Sequence, residues 1–187
     1  MNSQKIRAAI FDMGGTLEDV YYDDALRLKA THGLLAILAK HNLDSGLNVA
    51  ELFSMVKTGM ARYGVWREET CLELSPERQW TEYILTDHQR FPSEQVETMG
   101  EALAFIYDIN FFTRTVRPQA QAMLDALHSR GFRLGVISNI FSRQAVPHNL
   151  ARYGLSEYFQ VVLSSSVVGY RKPDPRIFIE AAGLLGL

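Results

Sequence analysis

Three short stretches of the chain hold residue types that could handle a phosphoryl group. Asp12 follows an apolar run and precedes Gly14-Gly15-Thr16, Ser138-Asn139 closes a second apolar run, and Arg171-Lys172-Pro173-Asp174 lies shortly after a third. A carboxylate can attack as a nucleophile, a hydroxyl can donate to an oxyanion, and an ammonium can neutralise oxygen charge, so the trio suits phosphoryl chemistry once it is brought together. Glycines after Asp12 would let the backbone approach a ligand closely. Each signal is weak alone, because Asp and Ser-Asn at strand ends commonly form turns and a lysine before proline is commonly a solvated loop residue. Their joint occurrence, each at the end of an apolar run, carries the argument.

The elements that must position them can be read from the same runs. Residues 6–11, 132–137 and 159–163 are apolar or β-branched stretches of strand length that stop at turn formers. Fully apolar strands predict a parallel sheet covered on both faces, whose carboxyl edge gathers reactive groups. The stretch 141–153, stopped by Gly154, predicts a helix between the last two strands, and Pro118 and Gly131 bracket another before residue 132. Between the first strand and this unit, roughly a hundred residues read as helical with no alternation of period two. At least four helices are expected there: one over 26–38, one around 52–56, one capped by Ser75 with Pro76 at its first position, and one opened by Ser93 and Glu94. Such a block between strands predicts a separate small domain or lid.

Composition narrows the function classes. With 187 residues, 47% hydrophobic and 21% charged, and a net charge of −2, the chain should fold as a globule. It carries no Lys/Arg-rich block of the kind that binds nucleic acid electrostatically. No apolar stretch approaches the ~20 residues of a spanning helix, and the run after Lys5 and Arg7 is cut by Asp12, which argues against a signal peptide. The lone Cys71 excludes an intrachain disulfide and, with no transport signal, points to a cytoplasmic protein. Cys71 itself is expected as a small buried or half-buried residue in a helix. His32, His41, His88, His128 and His148 show no ligand spacing. Trp66, Trp80 and the Phe111-Phe112 pair are expected to pack the helical block or line its face toward the sheet.

These residues resemble a known family, the haloacid dehalogenase-like (HAD) hydrolases, in the branch with a helical cap after the first core strand. Its first motif, an apolar strand followed by Asp-x-Asp-Gly-Thr-Leu, is matched by Ala9-Ile10-Phe11-Asp12-Met13-Gly14-Gly15-Thr16-Leu17 except at Gly14. Its second, a strand ending in Ser or Thr, is matched by Gly135-Val136-Ile137-Ser138-Asn139, and its third by Gly169-Tyr170-Arg171-Lys172-Pro173-Asp174-Pro175-Arg176-Ile177-Phe178. The resemblance implies a Rossmann-like α/β core over 1–17 and 115–187, with an inserted α-helical cap over 18–114. It implies a Mg²⁺-dependent phosphatase acting on a small phosphorylated metabolite through an aspartyl-phosphate on Asp12. Ser138 and Lys172 would be the catalytic partners, Thr16, Ser138, Asn139 and Lys172 would hold the phosphate with Asp12, and Asp12 and the Gly14 carbonyl would be metal ligands.

Two departures qualify that expectation. The family's second aspartate, which protonates the leaving group, is replaced by Gly14, so ordinary alkyl phosphates should turn over poorly; general acid–base help is worth about 10²–10⁴-fold. Glu18 and Asp19 are near in sequence but read as solvated hinge residues. The family's fourth motif, whose carboxylates complete the Mg²⁺ site, is expected beyond Leu187, so the C-terminal part of the core is expected to be missing and Mg²⁺ binding weakened or lost. The first strand should then be an apolar edge, covered either by the remainder of a longer protein or by a second copy in a homodimer. The alternatives are a catalytically silent binding or regulatory protein on this fold, and a dehalogenase- or phosphonatase-like hydrolase. The expected partner is a small phosphorylated molecule, with no nucleic acid and no membrane.

Overall fold

The structure is a computed structural model that describes residues 6–187; residues 1–5 of the expected core segment 1–17 lie outside the described residues. Three parallel strands form the sheet: β1 (Ala8–Phe11), β4 (Arg133–Ser138) and β5 (Val161–Ser164), in the order β1-β4-β5. The apolar runs are therefore strands, as their composition predicts, with β4 central and β1 at one edge. Helices α5 (Ala120–His128) and α6 (Ala145–Arg152) close one face over Leu134, Val136, Leu124 and Leu150. On the other face α8 (Pro175–Leu184) packs Ile177 and Ala181 against Ile137 and Leu163. A short helix, α7 (Ser165–Val168), links β5 to the Lys172 loop.

The block between β1 and β4 contains α1 (Asp24–Lys40), α2 (Val49–Thr70), α3 (Pro76–Gln79) continued by a π-helical turn (Trp80–Ile84), and α4 (Ser93–Asn110). Local signals set their starts. Asn48 and Glu51 form a reciprocal capping box on α2, and Ser75 accepts from Arg78 N–H ahead of Pro76. The interior is a single apolar cluster around Leu34, Leu52, Tyr63, Trp80, Phe91 and Leu103. Burying each large side chain there contributes about 1.5–3 kcal/mol against leaving it in water. Helix α4 crosses α3 so closely that a Cβ on Gly100 would stand 2.5 Å from Glu77 Cα.

Three expectations are corrected. The block does contain strands: β2 (Glu18–Tyr21) and β3 (Thr113–Val116) pair antiparallel, Glu18 against Val116 and Tyr21 against Thr113, forming a ribbon at the block's entry and exit. Four-residue strands that are half polar show too little alternation to register in the sequence. The helix expected over 141–153 begins only at Ala145, because carboxylates on α4 capture the backbone before it. Asp108 accepts from Ser142 N–H at 2.7 Å, and Glu101 accepts from Ser142 Oγ and from Arg143 N–H. Cys71 is half-buried but not inside a helix; it terminates α2 in the left-handed region, at φ 55°. Among the described residues, no helix is long and apolar enough to cross a membrane.

Candidate active site

Parallel pairing sets Phe11 beside Val136 and Ser138 beside Ser164. The three strands end at one edge, which delivers Asp12, Ser138 and the chain leading to Lys172 to the same place. After Asp12 the backbone turns tightly: the Met13 carbonyl accepts from the N–H groups of Thr16, Leu17 and Glu18 at 2.9–3.1 Å. Gly15 stands at φ 80° and donates to Glu18 O at 2.8 Å, a conformation that a side chain would strain. Met13 and Leu17, both buried, hold the turn down on the apolar cluster beneath it.

The edge opens into a cavity of about 400 Å³ whose lining includes Asp12, Gly14, Ser138, Asn139, Lys172 and Arg114. Lys172 Nζ lies 2.7 Å from Asp12 Oδ1 and donates to Ile137 O at 2.9 Å. Asp12 Oδ1 also accepts from Met13 N–H at 2.7 Å, which leaves Oδ2 as the oxygen open to attack an electrophile. Asp12 keeps 43% of its side chain exposed while Lys172 keeps 17%. The Asn139 side chain accepts from Lys172 N–H at 2.8 Å and donates to Lys172 O at 2.9 Å, so it fixes the backbone that carries the ammonium. Of the residues expected to hold phosphate, only Thr16 stays outside: the turn carries it into solvent and it does not line the cavity.

The Lys172 loop is also held from behind. Leu72 forms an antiparallel bridge to Tyr170, Glu73 N–H donates to Gly169 O, and Arg171 N–H donates to Cys71 O. The buried Glu73 carboxylate accepts from Tyr63 and Ser165 hydroxyls and pairs with Arg171 at 3.4 Å. Burial lowers the Arg171 guanidinium below its ordinary value, an effect the Glu73 charge opposes.

One lining residue escaped the sequence analysis. Arg114, on β3, is only 11% exposed and pairs with Glu18, whose side chain is 0% exposed. Glu18 also accepts from the Tyr153 hydroxyl at 2.7 Å, and burial followed by that hydrogen bond pushes the phenol up to about 12. Arg114 Nε donates to Asp108 O at 3.2 Å. Glu18 is therefore a buried brace, not the solvated residue expected from its position; Asp19, exposed and paired with Arg117, does match that expectation. A Cβ on Gly14 would lie 3.9 Å from Arg114 Nη1, so the guanidinium borders the room that a side chain at position 14 would enter. No local pattern marks Arg114, because its pairing with Glu18 spans 96 positions.

The donor set does not complete a Mg²⁺ shell. Mg²⁺ demands near-octahedral oxygen ligation, whereas the expected ligands amount to the Asp12 carboxylate and the Gly14 carbonyl, with Asp12 Oδ1 already engaged by Lys172. Among the described residues no group of three or more His, Cys, Asp or Glu converges to hold a metal ion.

The family model described as haloacid dehalogenase-like hydrolase matches residues 6–187. The chain belongs to the haloacid dehalogenase-like hydrolases. Among HAD relatives, it is 27% identical over 184 residues to the glyceraldehyde 3-phosphate phosphatase of Methanopyrus kandleri, covering 97% of this chain and 71% of that one. It is 46% identical over 70 residues to the haloacid dehalogenase-like hydrolase domain-containing protein 3 of Mus musculus, covering 37% of this chain and 27% of that protein. Its fold is similar to the crystal structure of 2-haloacid dehalogenase from Pseudomonas syringae pv. Tomato DC3000, with a TM-score of 0.60 at 20% identity over 98% of this chain and 74% of that one.

Proposed function

We propose that the protein hydrolyses phosphate monoesters through an aspartyl-phosphate on Asp12, with residues 18–114 serving as a cap over a core formed by 1–17 and 115–187. The observation that carries this reading is the 2.7 Å Lys172–Asp12 pair at the mouth of a cavity that Ser138 also lines. Asp12 Oδ2 bonds to phosphorus as the ester P–O bond breaks, the leaving oxygen takes its proton from water, and the Lys172 ammonium and Ser138 hydroxyl hold the phosphoryl oxygens as charge builds on them. Asn139 acts one step back, by fixing Lys172. Water then attacks the acyl phosphate, releases phosphate and restores the carboxylate. The relatives' names support a phosphorylated small molecule as substrate.

The test is a panel of phosphate monoesters with the wild-type chain and Asp12→Asn, read by phosphate release and by acid-quench trapping of the phosphoenzyme. Turnover and a trapped intermediate that both disappear in Asp12→Asn support the reading. Tight binding without turnover would leave the silent binding protein, and halide release from a 2-haloacid would point to carbon as the electrophile.

A further inference from the structure

A second cavity of about 400 Å³ lies within the helical block where it meets the sheet, walled by aromatic side chains that include Tyr22, Tyr107, Phe112 and Phe141. It adjoins the Asp12 cavity. Three separate segments line both, giving Val20, Arg114 and Ile140 to the first and Tyr22, Phe112 and Phe141 to the second. Arg114 Cζ lies 5.2 Å from the Phe112 ring centre and Arg27 Cζ 4.9 Å from the same ring, so guanidinium, ring and guanidinium run from one cavity to the other.

The charges of the second cavity are incomplete. Its charged lining residues are Arg27, Lys57 and Arg67, with no acidic residue among them. Lys57 pairs with Asp24 at 2.6 Å. Arg27 and Arg67 stack on Tyr22 and Phe141, at 3.8 and 4.9 Å, and the Nε atom of each is buried with no hydrogen-bond partner. With each Nε closed off, the Nη groups are what a ligand in the cavity can meet, and they recognise planar anions through paired donors. Gly14 adds a constraint from the reacting end: it supplies no proton, so the leaving oxygen must be stable as an anion, as a phenolate is and an alkoxide is not.

We propose that the substrate is a phosphate monoester of a planar, aromatic hydroxy compound that carries a second anionic group. The ring occupies the aromatic cavity and the anion meets Arg27 and Arg67. This rests on the reading of the Asp12 cavity as the place of reaction. Asp12 Oδ2 bonds to phosphorus as the P–O bond to the ring breaks, the electron pair stays on the aryl oxygen, and the released phenolate takes its proton from water.

The test uses the full chain and two readouts. Calorimetry compares 4-(phosphonomethyl)benzoate, which cannot be hydrolysed, with its carboxamide; the carboxylate should bind about tenfold more tightly or better. Arg27→Gln and Arg67→Gln should each bring that ratio toward one while moving the carboxamide's affinity by no more than about twofold. If a glutamine variant fails to fold, Arg27→Lys and Arg67→Lys keep a cation and should give intermediate ratios. Turnover then compares the phosphate monoesters of 4-hydroxybenzoate and 4-hydroxybenzamide with phosphoglycolate, and the first should be preferred. Equal affinity of wild type for carboxylate and carboxamide, a ratio unchanged in the variants, no binding at all, or preference for phosphoglycolate each overturns the inference. Discrimination in calorimetry with no turnover of any ester refutes the proposed reaction instead and leaves the anion site standing.

Discussion

The two adjoining cavities treat charge in opposite ways. Around Asp12 each cation has a partner: Lys172 rests on Asp12, and Arg114 on a Glu18 carboxylate that Tyr153 also holds. Around the aromatic cavity Arg27 and Arg67 rest on ring faces and keep a buried Nε unpartnered. Partnered groups are already oriented and need little rearrangement as charge develops, which is what a reacting centre requires. A guanidinium that rests on a ring face and not on a carboxylate keeps its Nη donors for a ligand, which suits recognition. If the proposed reaction and ligand are right, bonds change in one cavity and the ligand is told apart in the other.

That contrast can be broken from the reacting side first. Asp12→Asn should remove turnover by about 10⁴-fold or more, measured by phosphate release, because the nucleophile is lost while the charges around it remain. Arg114→Met leaves Glu18 buried with half its support, and should cost about 3–5 kcal/mol in denaturant unfolding. The double variant Arg114→Met with Glu18→Leu should recover much of that loss, since two apolar groups replace the pair. A mild Arg114→Met phenotype would show that Glu18 finds relief elsewhere. Gly14→Asp supplies the missing acid: position 14 is outside the left-handed region, and its Cβ would need Val20 Cγ2, 3.3 Å away, to yield slightly. Turnover of alkyl phosphates should rise about 10–100-fold, with aryl phosphates nearly unchanged, in parallel kcat/KM measurements.

The smallest expected effect lies at the buried Asp108 on α4. Asp108 is fully buried, and burial pushes its carboxyl from the ordinary 3.8 up to about 7, against the Ser142 N–H that favours the charged form. The folded-state value lies above the unfolded one, so the protonated group supports folding fully below the unfolded value, and that support is lost as pH rises through about 7. Asp108→Asn should therefore gain in Tm relative to wild type on going from about pH 5 to about pH 8, and a pH-independent difference would place the titration elsewhere.

Legibility of this molecule followed the range of the interactions. Asp12 and Ser138 could be named from sequence because each closes a run of apolar residues, and Lys172 because it follows a third after a short connection; parallel strands of matched register bring the run ends together. The capping box at Asn48 and the Ser75-Pro76 start were equally local. Arg114 was not legible, because nothing within Phe111-Phe112-Thr113-Arg114-Thr115-Val116 reports that its partner is Glu18. For the same reason Glu18 read as solvated: a carboxylate is buried only when its cation arrives from elsewhere. Thr16 was placed by analogy with a motif and moved outward by a turn whose geometry depends on Gly15.

The bridge between Leu72 and Tyr170 bears on how the two parts of the chain can move. A helical block attached only through the β2–β3 ribbon could swing like a leaf on one pin. Here the opposite jamb is bolted too, by backbone bonds from Cys71 and Glu73 to the residues just before Lys172. A wide swing would have to break these bonds or pull on the loop that carries Lys172, so the helical block and the lysine loop are tied into one unit.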